Sequence, residues 1–149
     1  DHRDFKYSIV GDGPEYAELK YSIYDLGLSE NVVLLGRLTH EQTLVEMAKA
    51  DLYIQYSISE GFCNAVLEAQ ALGLFCIVSD GGGLPENIIH GATGWVVPKR
   101  NPKQLTKVIE DVINLQDSDK DRISSNAINR VKEKFRLDQQ RSAFKTFYE

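Results

Sequence analysis

An α/β domain with a mainly parallel sheet is predicted by three features of this 149-residue chain. Short β-prone runs recur at residues 6–10, 31–36, 51–55, 75–78 and 95–98. The intervals between them carry helical periodicity or helix-start signals instead of hairpin turns. The run Val32-Val33-Leu34-Leu35 is continuously apolar, as suits a parallel strand covered on both faces. With no internal repeat, low-complexity tract or linker, residues 1–149 read as one domain.

The first run, Lys6-Tyr7-Ser8-Ile9-Val10, ends sharply at Gly11-Asp12-Gly13-Pro14. Tyr16, Leu19, Ile23 and Leu26 then recur at helical spacing up to Gly27, giving strand, glycine turn and helix. A dinucleotide-binding fingerprint is not completed, because it requires a third glycine where this chain has Tyr16. After the second run, Thr39 and Gln42 have capping-box spacing, and Leu44, Val45, Met47 and Ala48 supply the next helix with an inward face. The run 75–78 leads into Ser79-Asp80-Gly81-Gly82-Gly83. Those glycines either admit a ligand close to the backbone, as an anion-binding nest, or form a flexible turn before a short helix at 85–90. Their place after a strand's carboxyl end favours the first. Pro98 ends the fifth strand, Asn101 and Pro102 read as N-cap and first helical residue, and Leu105, Val108, Ile109, Val112 and Ile113 form an apolar stripe. Ile123, Ile128, Val131 and Phe135 are the inward candidates of a strongly charged helical segment, and Phe144, Phe147 and Tyr148 read as helix-packing contacts.

Composition narrows the function classes. At 42% hydrophobic and 26% charged, the chain has an ordinary globular make-up. A formal net charge of -5 argues against a nucleic-acid footprint. No apolar run is long enough to cross a membrane and no amino-terminal signal pattern is present, so the expected location is cytoplasmic. Cys63 and Cys76 lack CxxC or Cys/His spacing, and neither a metal nor a disulfide is expected of them.

Functional chemistry concentrates at residues 59–73. Glu60 lies in a loop, and Glu68, eight residues later, lies on a helix with Asn64 as its expected N-cap and Gly73 as its stop. Ala65, Val66, Leu67, Ala69, Ala71 and Leu72 make that helix apolar around most of its circumference, so it is expected to be buried. A carboxylate there must find donors or lose its charge. Taken alone, Glu60 is an ordinary solvent acid and Glu68 a charge favoured by the helix dipole. Together, with unpaired helix amides between them, they describe a pocket for a polar, hydroxyl-rich, anionic ligand. The run 51–55 leads directly into it, and in open parallel sheets ligands bind at the carboxyl ends of strands.

In this order, Val10-Gly11-Asp12-Gly13-Pro14, Val33 to Gly36, Ala50-Asp51-Leu52, Glu60-Gly61-Phe62 with Glu68-Ala69, and Gly82-Gly83-Leu84-Pro85-Glu86 resemble the donor-binding carboxyl-terminal domain of retaining glycosyltransferases of the GT-B fold, especially the large family 4. The resemblance implies a Rossmann-like sheet with flanking helices, and transfer of a sugar from a nucleoside diphosphate donor with retention at the anomeric carbon. It implies Glu60 at the donor sugar, positioning it and stabilising charge. Amides around Gly61, Phe62, Cys63 and Asn64 would bond sugar hydroxyls or phosphate, and Glu68 would accept from the ribose hydroxyls, which answers its need for donors. Gly11, Gly13, Gly36, Arg37 and Leu38 would flank the base. No cofactor and no metal are expected, because such enzymes stabilise the departing diphosphate with basic side chains and helix amides.

Family members also carry an Arg and a Lys for the diphosphate, upstream of the first unit seen here, and no residue of this chain matches either. The expectation is therefore a missing first strand-helix unit of roughly 30 residues and, beyond it, an acceptor-binding amino-terminal domain. The chain would bind nucleotide sugar without catalysing transfer by itself, and any peripheral membrane contact would come through that other domain. Cys63 stands where glycine is frequent in the family, and Phe75 where proline is frequent. Two other readings stay open: a non-catalytic nucleotide-sugar-binding or interaction module, and a sugar-nucleotide epimerase domain. The latter would lean on histidines, and His2, His40 and His90 form no persuasive constellation.

Overall fold

The computed structural model describes residues 5–135. Strands and helices alternate as expected, and the chain divides between Glu46 and Met47 into two units. Phe144, Phe147 and Tyr148 lie outside the described residues.

In the first unit, β1 (Tyr7–Val10), α1 (Tyr16–Asp25) and β2 (Val32–Gly36) form a β-α-β crossover, followed by α2 (His40–Met47). The two strands are parallel, with Tyr7 opposite Val32 and Ile9 opposite Leu34. Beyond α1, Gly27 takes a left-handed φ of 66°, so that its N–H donates to Tyr24 O at 3.0 Å and Leu28 N–H reaches Ile23 O at 2.9 Å. This paired closure satisfies the last carbonyls of the helix. The capping box forms in both directions: Thr39 N–H donates to Gln42 Oε1 at 2.9 Å, and Gln42 N–H donates to Thr39 Oγ1 at 3.2 Å.

The inward faces expected for these helices are only partly covered. On α1 Ile23 is buried, whereas Leu19 and, just past the helix, Leu26 are exposed; on α2 Met47, the first residue of the second unit, is buried, whereas Val45 and, just past the helix, Ala48 are exposed. Leu44 and Met47 are three residues apart and share a face, while Val45 and Ala48 lie on a neighbouring one.

The second unit holds β3 (Leu52–Gln55), α3 (Asn64–Ala71), β4 (Phe75–Ser79), α4 (Leu84–Asn87), β5 (Trp95–Val97), α5 (Pro102–Ile113) and α6 (Asp117–Lys134). Its strands are parallel in the order β3-β4-β5, with Leu52 opposite Phe75 and Ile77 opposite Trp95. The central strand is the most apolar, and Cys76, Ile77 and Val78 are fully buried. Alternation along the strand sends Phe75 and Ile77 to one face and Cys76 to the other. On the first face Ile77 and Val97 meet Val112 of α5, with Leu105, Val108 and Ile109 packed around them. Each of the three central residues stabilises the unit by about 1.5–3 kcal/mol relative to exposure. Phe75 meets the Trp95 ring edge-on at 6.3 Å, so a large aromatic fits the position where the family often has proline. On the other face Cys76 lies 3.9 Å from the Val66 carbonyl of α3, and α6 packs behind α3.

Asn101 caps α5 through its side chain, accepting from Gln104 N–H at 3.1 Å, and Pro102 is the first helical residue. Ile113, expected in the stripe, is exposed. At 3.6 residues per turn it lies roughly 90° from the centre of the face made by Leu105, Val108, Ile109 and Val112. The helix expected at 85–90 is shorter, running from Leu84 to Asn87, because Ile88 is already extended. No helix among the described residues is long and apolar enough to cross a membrane.

Gly73 stops α3 in the same paired manner as Gly27 stops α1, with φ +81°, Gly73 N–H on Gln70 O and Leu74 N–H on Ala69 O, each at 3.0 Å. A methyl group there would also lie 2.8 Å from Ser124 Oγ of α6, whose hydroxyl donates to Gly73 O at 2.9 Å. Gly73→Ala is expected to lower the unfolding free energy by about 1–2 kcal/mol, from the left-handed backbone and the displaced Ser124 contact. Urea unfolding followed by circular dichroism measures it.

Candidate active site

The site of the second unit is built at the carboxyl ends of β3, β4 and β5, where three loops are tied to one another. Tyr56 Oη donates to Pro98 O at 2.6 Å and accepts from Asn101 N–H at 2.8 Å. Asp80 N–H donates to Val97 O at 3.0 Å, and Asp80 Oδ1 accepts from Lys99 N–H at 2.8 Å. The Ser79 hydroxyl donates to Ser57 O. The glycines after β4 complete the set, and their reason differs from the one expected. They admit the chain's own backbone: a Cβ on Gly82 would stand 2.1 Å from Glu60 O, and one on Gly81 2.5 Å from Ser57 O. Gly83 N–H donates to Glu60 O at 2.8 Å. This tight seam is neither a flexible turn nor an open nest.

From that seam the chain rises through Gly61 and Phe62 into α3. The N-cap is Cys63, with extended φ -100° and ψ 106°; Asn64, expected to cap, is the first helical residue. Among the described residues no side chain caps this helix. Cys63 N–H is held by Asn87 Oδ1 at 3.2 Å, from a residue 24 positions on, beyond α3 and β4. The amides of the first helical turn, at the positive end of the dipole, therefore have no capping side chain among the described residues.

The helix is buried on one face instead of all round. Val66, Ala69 and Gln70 are buried, whereas Ala71 and Leu72 are exposed. Glu68 lies roughly 200° around the axis from Val66, at 100° per residue, and is half-buried. Glu60 is exposed, and its side chain has no hydrogen-bond or ion-pair partner among the described residues. Electrostatically the two carboxylates share a neighbourhood with Tyr53 of β3. Burial raises the Tyr53 phenol well above its ordinary value, and Cys63, Cys76, Glu68 and Glu60 each raise it further. Tyr53 Oη donates to Gln55 Oε1 at 2.7 Å, and Gln55 Nε2 donates to Ser57 Oγ at 2.9 Å.

Glu60, Cys63 and Glu68 thus all act electrostatically on Tyr53, with Gly61, Phe62 and Asn64 in the intervening turn. The first unit by itself brings Gly11, Gly13, Gly36, Arg37 and Leu38 to the carboxyl end of its own strand pair, where Gly11 N–H donates to Gly36 O at 2.8 Å. Sequence reasoning missed Tyr53, Asn87 and Lys99. The period of β3 was the available signal for Tyr53, because Tyr53, Gln55 and Ser57 alternate onto one face. Nothing local marked Asn87, whose partner is 24 positions away. Lys99 brings an ammonium to this edge, donating from Nζ to Ile58 O at 3.3 Å. His90 Nδ1 accepts from Val96 N–H at 3.0 Å, a structural use. Among the described residues no group of three His, Cys, Asp or Glu side chains could hold a metal ion.

The family profile described as "Glycosyl transferases group 1" matches residues 1–130. The chain belongs to this family. It is 33% identical over 147 residues to N-acetyl-alpha-D-glucosaminyl L-malate synthase of Bacillus anthracis, which covers 97% of this chain and 37% of that protein. It is 32% identical over 111 residues to the amylovoran biosynthesis glycosyltransferase AmsK of Erwinia amylovora, covering 70% of this chain and 27% of that one. Among solved structures, Anabaena Alr3699/HepE in complex with UDP-glucose superposes with a TM-score of 0.84 at 26% identity, over 97% of this chain and 41% of that one. This group 1 chain therefore spans well under half the length of the relatives it matches. Its fold is the Rossmann-like, mainly parallel α/β arrangement found in GT-B glycosyltransferases.

Two outcomes are expected of the site's packing. Gly82→Ala, with φ +62° and Glu60 O in the path of its methyl group, should destabilise by about 2–3 kcal/mol. Amide exchange should then accelerate along residues 57–61 before the rest of the unit. Burial pushes the Cys76 thiol from 9.0 up to about 12. The unfolded chain therefore loses this proton first, so the contribution is complete below about pH 9 and lost between pH 9 and 12. Tyr53, also raised, acts with the same sign above its ordinary 10.0. Urea midpoints should fall with rising pH across that window, and Cys76→Ala should flatten the fall.

Proposed function

We propose that this chain is the donor-binding portion of a retaining glycosyltransferase that moves a sugar from a nucleoside diphosphate sugar to an acceptor, and that it does not catalyse transfer by itself. The observation that carries the proposal is the amino end of α3, without a side-chain cap among the described residues, flanked by Glu60 and Glu68 at the carboxyl end of β3. Carboxylates accept from hydroxyls, while helix amides and the dipole favour an anion. A donor that joins a polyol to a diphosphate needs both. The UDP-glucose complex of the related HepE structure supports a uridine donor class.

In this assignment Glu60 positions the sugar and stabilises charge developing at its anomeric carbon. Gly61, Phe62, Cys63 and Asn64 offer amides to sugar hydroxyls or phosphate, and Glu68 accepts from the ribose diol. The family resemblance assigns Gly11, Gly13, Gly36, Arg37 and Leu38 to the base. The departing diphosphate needs positive charge, supplied by the α3 amides and by cations outside these residues, without a metal. We place the acceptor site in an amino-terminal domain of a longer cytoplasmic protein, in keeping with the share of each relative's length that the chain covers.

Calorimetric titration of the chain with UDP-, GDP- and ADP-glucose tests the proposal. UDP-glucose should give the largest heat, and Glu68→Ala should weaken it about 10- to 100-fold, the loss of a charged acceptor for two hydroxyls. Equal heats for wild type and Glu68→Ala would remove the ribose assignment, and no heat with any of the three would remove donor binding by this chain.

A further inference from the structure

The turn that opens α3 is held from behind by the carboxyl end of α6. Asn87 is fully buried, and both ends of its amide engage Cys63: Oδ1 accepts from Cys63 N–H at 3.2 Å, and Nδ2 donates to Cys63 O at 3.1 Å. Two antiparallel bonds to one residue fix its rotation as well as its position, because a movement that shortens one lengthens the other. Asn87 is itself gripped through its carbonyl, which accepts from Gln70 Nε2 and from Arg130 Nη1, each at 3.0 Å. Arg130 Nη2 donates at 2.8 Å to the preceding carbonyl, that of Glu86. The same guanidinium lies 4.9 Å from the centroid of the Phe135 ring, and that ring lies 5.5 Å from Phe62.

Arg130 therefore stands where two routes meet, one through Asn87 to Cys63 and one through Phe135 to Phe62. Among the described residues it has no carboxylate partner. Partial burial lowers its pKa, so the charge is held at a cost. A side chain kept there without an ion pair is explained by the geometry of its planar fork, which spans two successive carbonyls while its face stacks on a ring.

We infer that Arg130 and Asn87 are positioning residues for the site: acting through the backbone, and without touching a ligand, they determine where Phe62 and Cys63 lie at the amino end of α3. The inference rests on the proposed donor site only for what that turn serves. The tie itself belongs to the free chain and is testable there.

The chain's two cysteines provide the probe, since Cys63 is half-buried beside the tie and Cys76 is fully buried under α3. Labelling with a disulfide reagent in native buffer, with the labelled sites read by mass spectrometry, follows the two thiols separately. Arg130→Ala and Asn87→Ala should each accelerate Cys63 labelling by about tenfold or more, corresponding to the loss of one or two hydrogen bonds, while Cys76 stays protected. The double variant should label faster than Asn87→Ala alone, because the route through Phe135 to Phe62 survives in Asn87→Ala and is lost with Arg130. Arg130→Lys, which keeps the charge but cannot span both carbonyls, should fall between wild type and Arg130→Ala. If Arg130→Ala does not fold, Arg130→Lys decides the matter by the same criterion. Unchanged Cys63 labelling in the arginine variant overturns the role of Arg130, and acceleration of Cys63 and Cys76 together shows general loosening and overturns the inference. A parallel arm adds UDP-glucose to the wild type. Failure of the donor to slow Cys63 labelling counts against the proposed donor site and leaves the tie intact.

Discussion

Two stretches of main chain, Gly81-Gly82-Gly83 and Ser57 to Gly61, approach so closely that no side chain fits between them. The carboxyl edge of the three-stranded sheet depends on this contact. It holds the Glu60 carbonyl against Gly83 N–H while leaving the Glu60 side chain exposed, which separates anchoring from presentation within one residue. Backbone groups do the anchoring, and the carboxylate stays free for hydroxyl donors. Loops that carry binding groups are normally more mobile than the strands they join. Here Tyr56, Ser79, Asp80 and Lys99 bond the three loops together, so the turn into α3 begins from a fixed point.

Much of this was legible in the sequence wherever the signal was local. Asn101 with Pro102 at α5, Thr39 with Gln42 at α2 and Gly73 at α3 all announce interactions that close within a few residues, and the structure forms them. The candidate carboxylates Glu60 and Glu68 were singled out by local features too, their spacing and the glycines around them. Partners beyond one turn were hidden. Asn64 is a favourable cap by type, yet the chain places Cys63 at the cap and gives its N–H to Asn87. Ile113 and Leu72 are apolar and in helical phase, but neither faces a neighbour that covers it; pattern names a face, and packing decides how wide that face is. The three glycines were recognised as a close approach, but sequence alone does not say whether the approaching group is a ligand or the chain itself.

Behind the site the interior is polar where an apolar core would have served stability as well. Asn87, Gln70 and Ser79 are fully buried, and Gln70 Oε1 has no partner among the described residues. A buried acceptor left unmet costs about 1–3 kcal/mol. Such a cost is tolerated when the same side chain fixes an orientation, and Gln70 Nε2 does so by sharing the Asn87 carbonyl with Arg130. Apolar contacts of similar area would hold the elements together but would not specify how Cys63 is rotated.

The placement of Glu68 follows from the same division. Because Val66, Ala69 and Gln70 form the buried face of α3, a residue on the opposite side is carried by a rigid support without being enclosed by it. Half-burial limits water at the carboxylate, and Tyr53, pressed toward the neutral phenol, adds no negative charge beside it. The cluster therefore offers anionic acceptors and helix-amide donors within one turn of chain. That pairing suits a ligand whose hydroxyls donate and whose phosphates accept, and it fits poorly with a purely anionic ligand, which two carboxylates would repel. In the function proposed above, the sign of the charges, more than the shape of the loop, would select a sugar joined to a diphosphate.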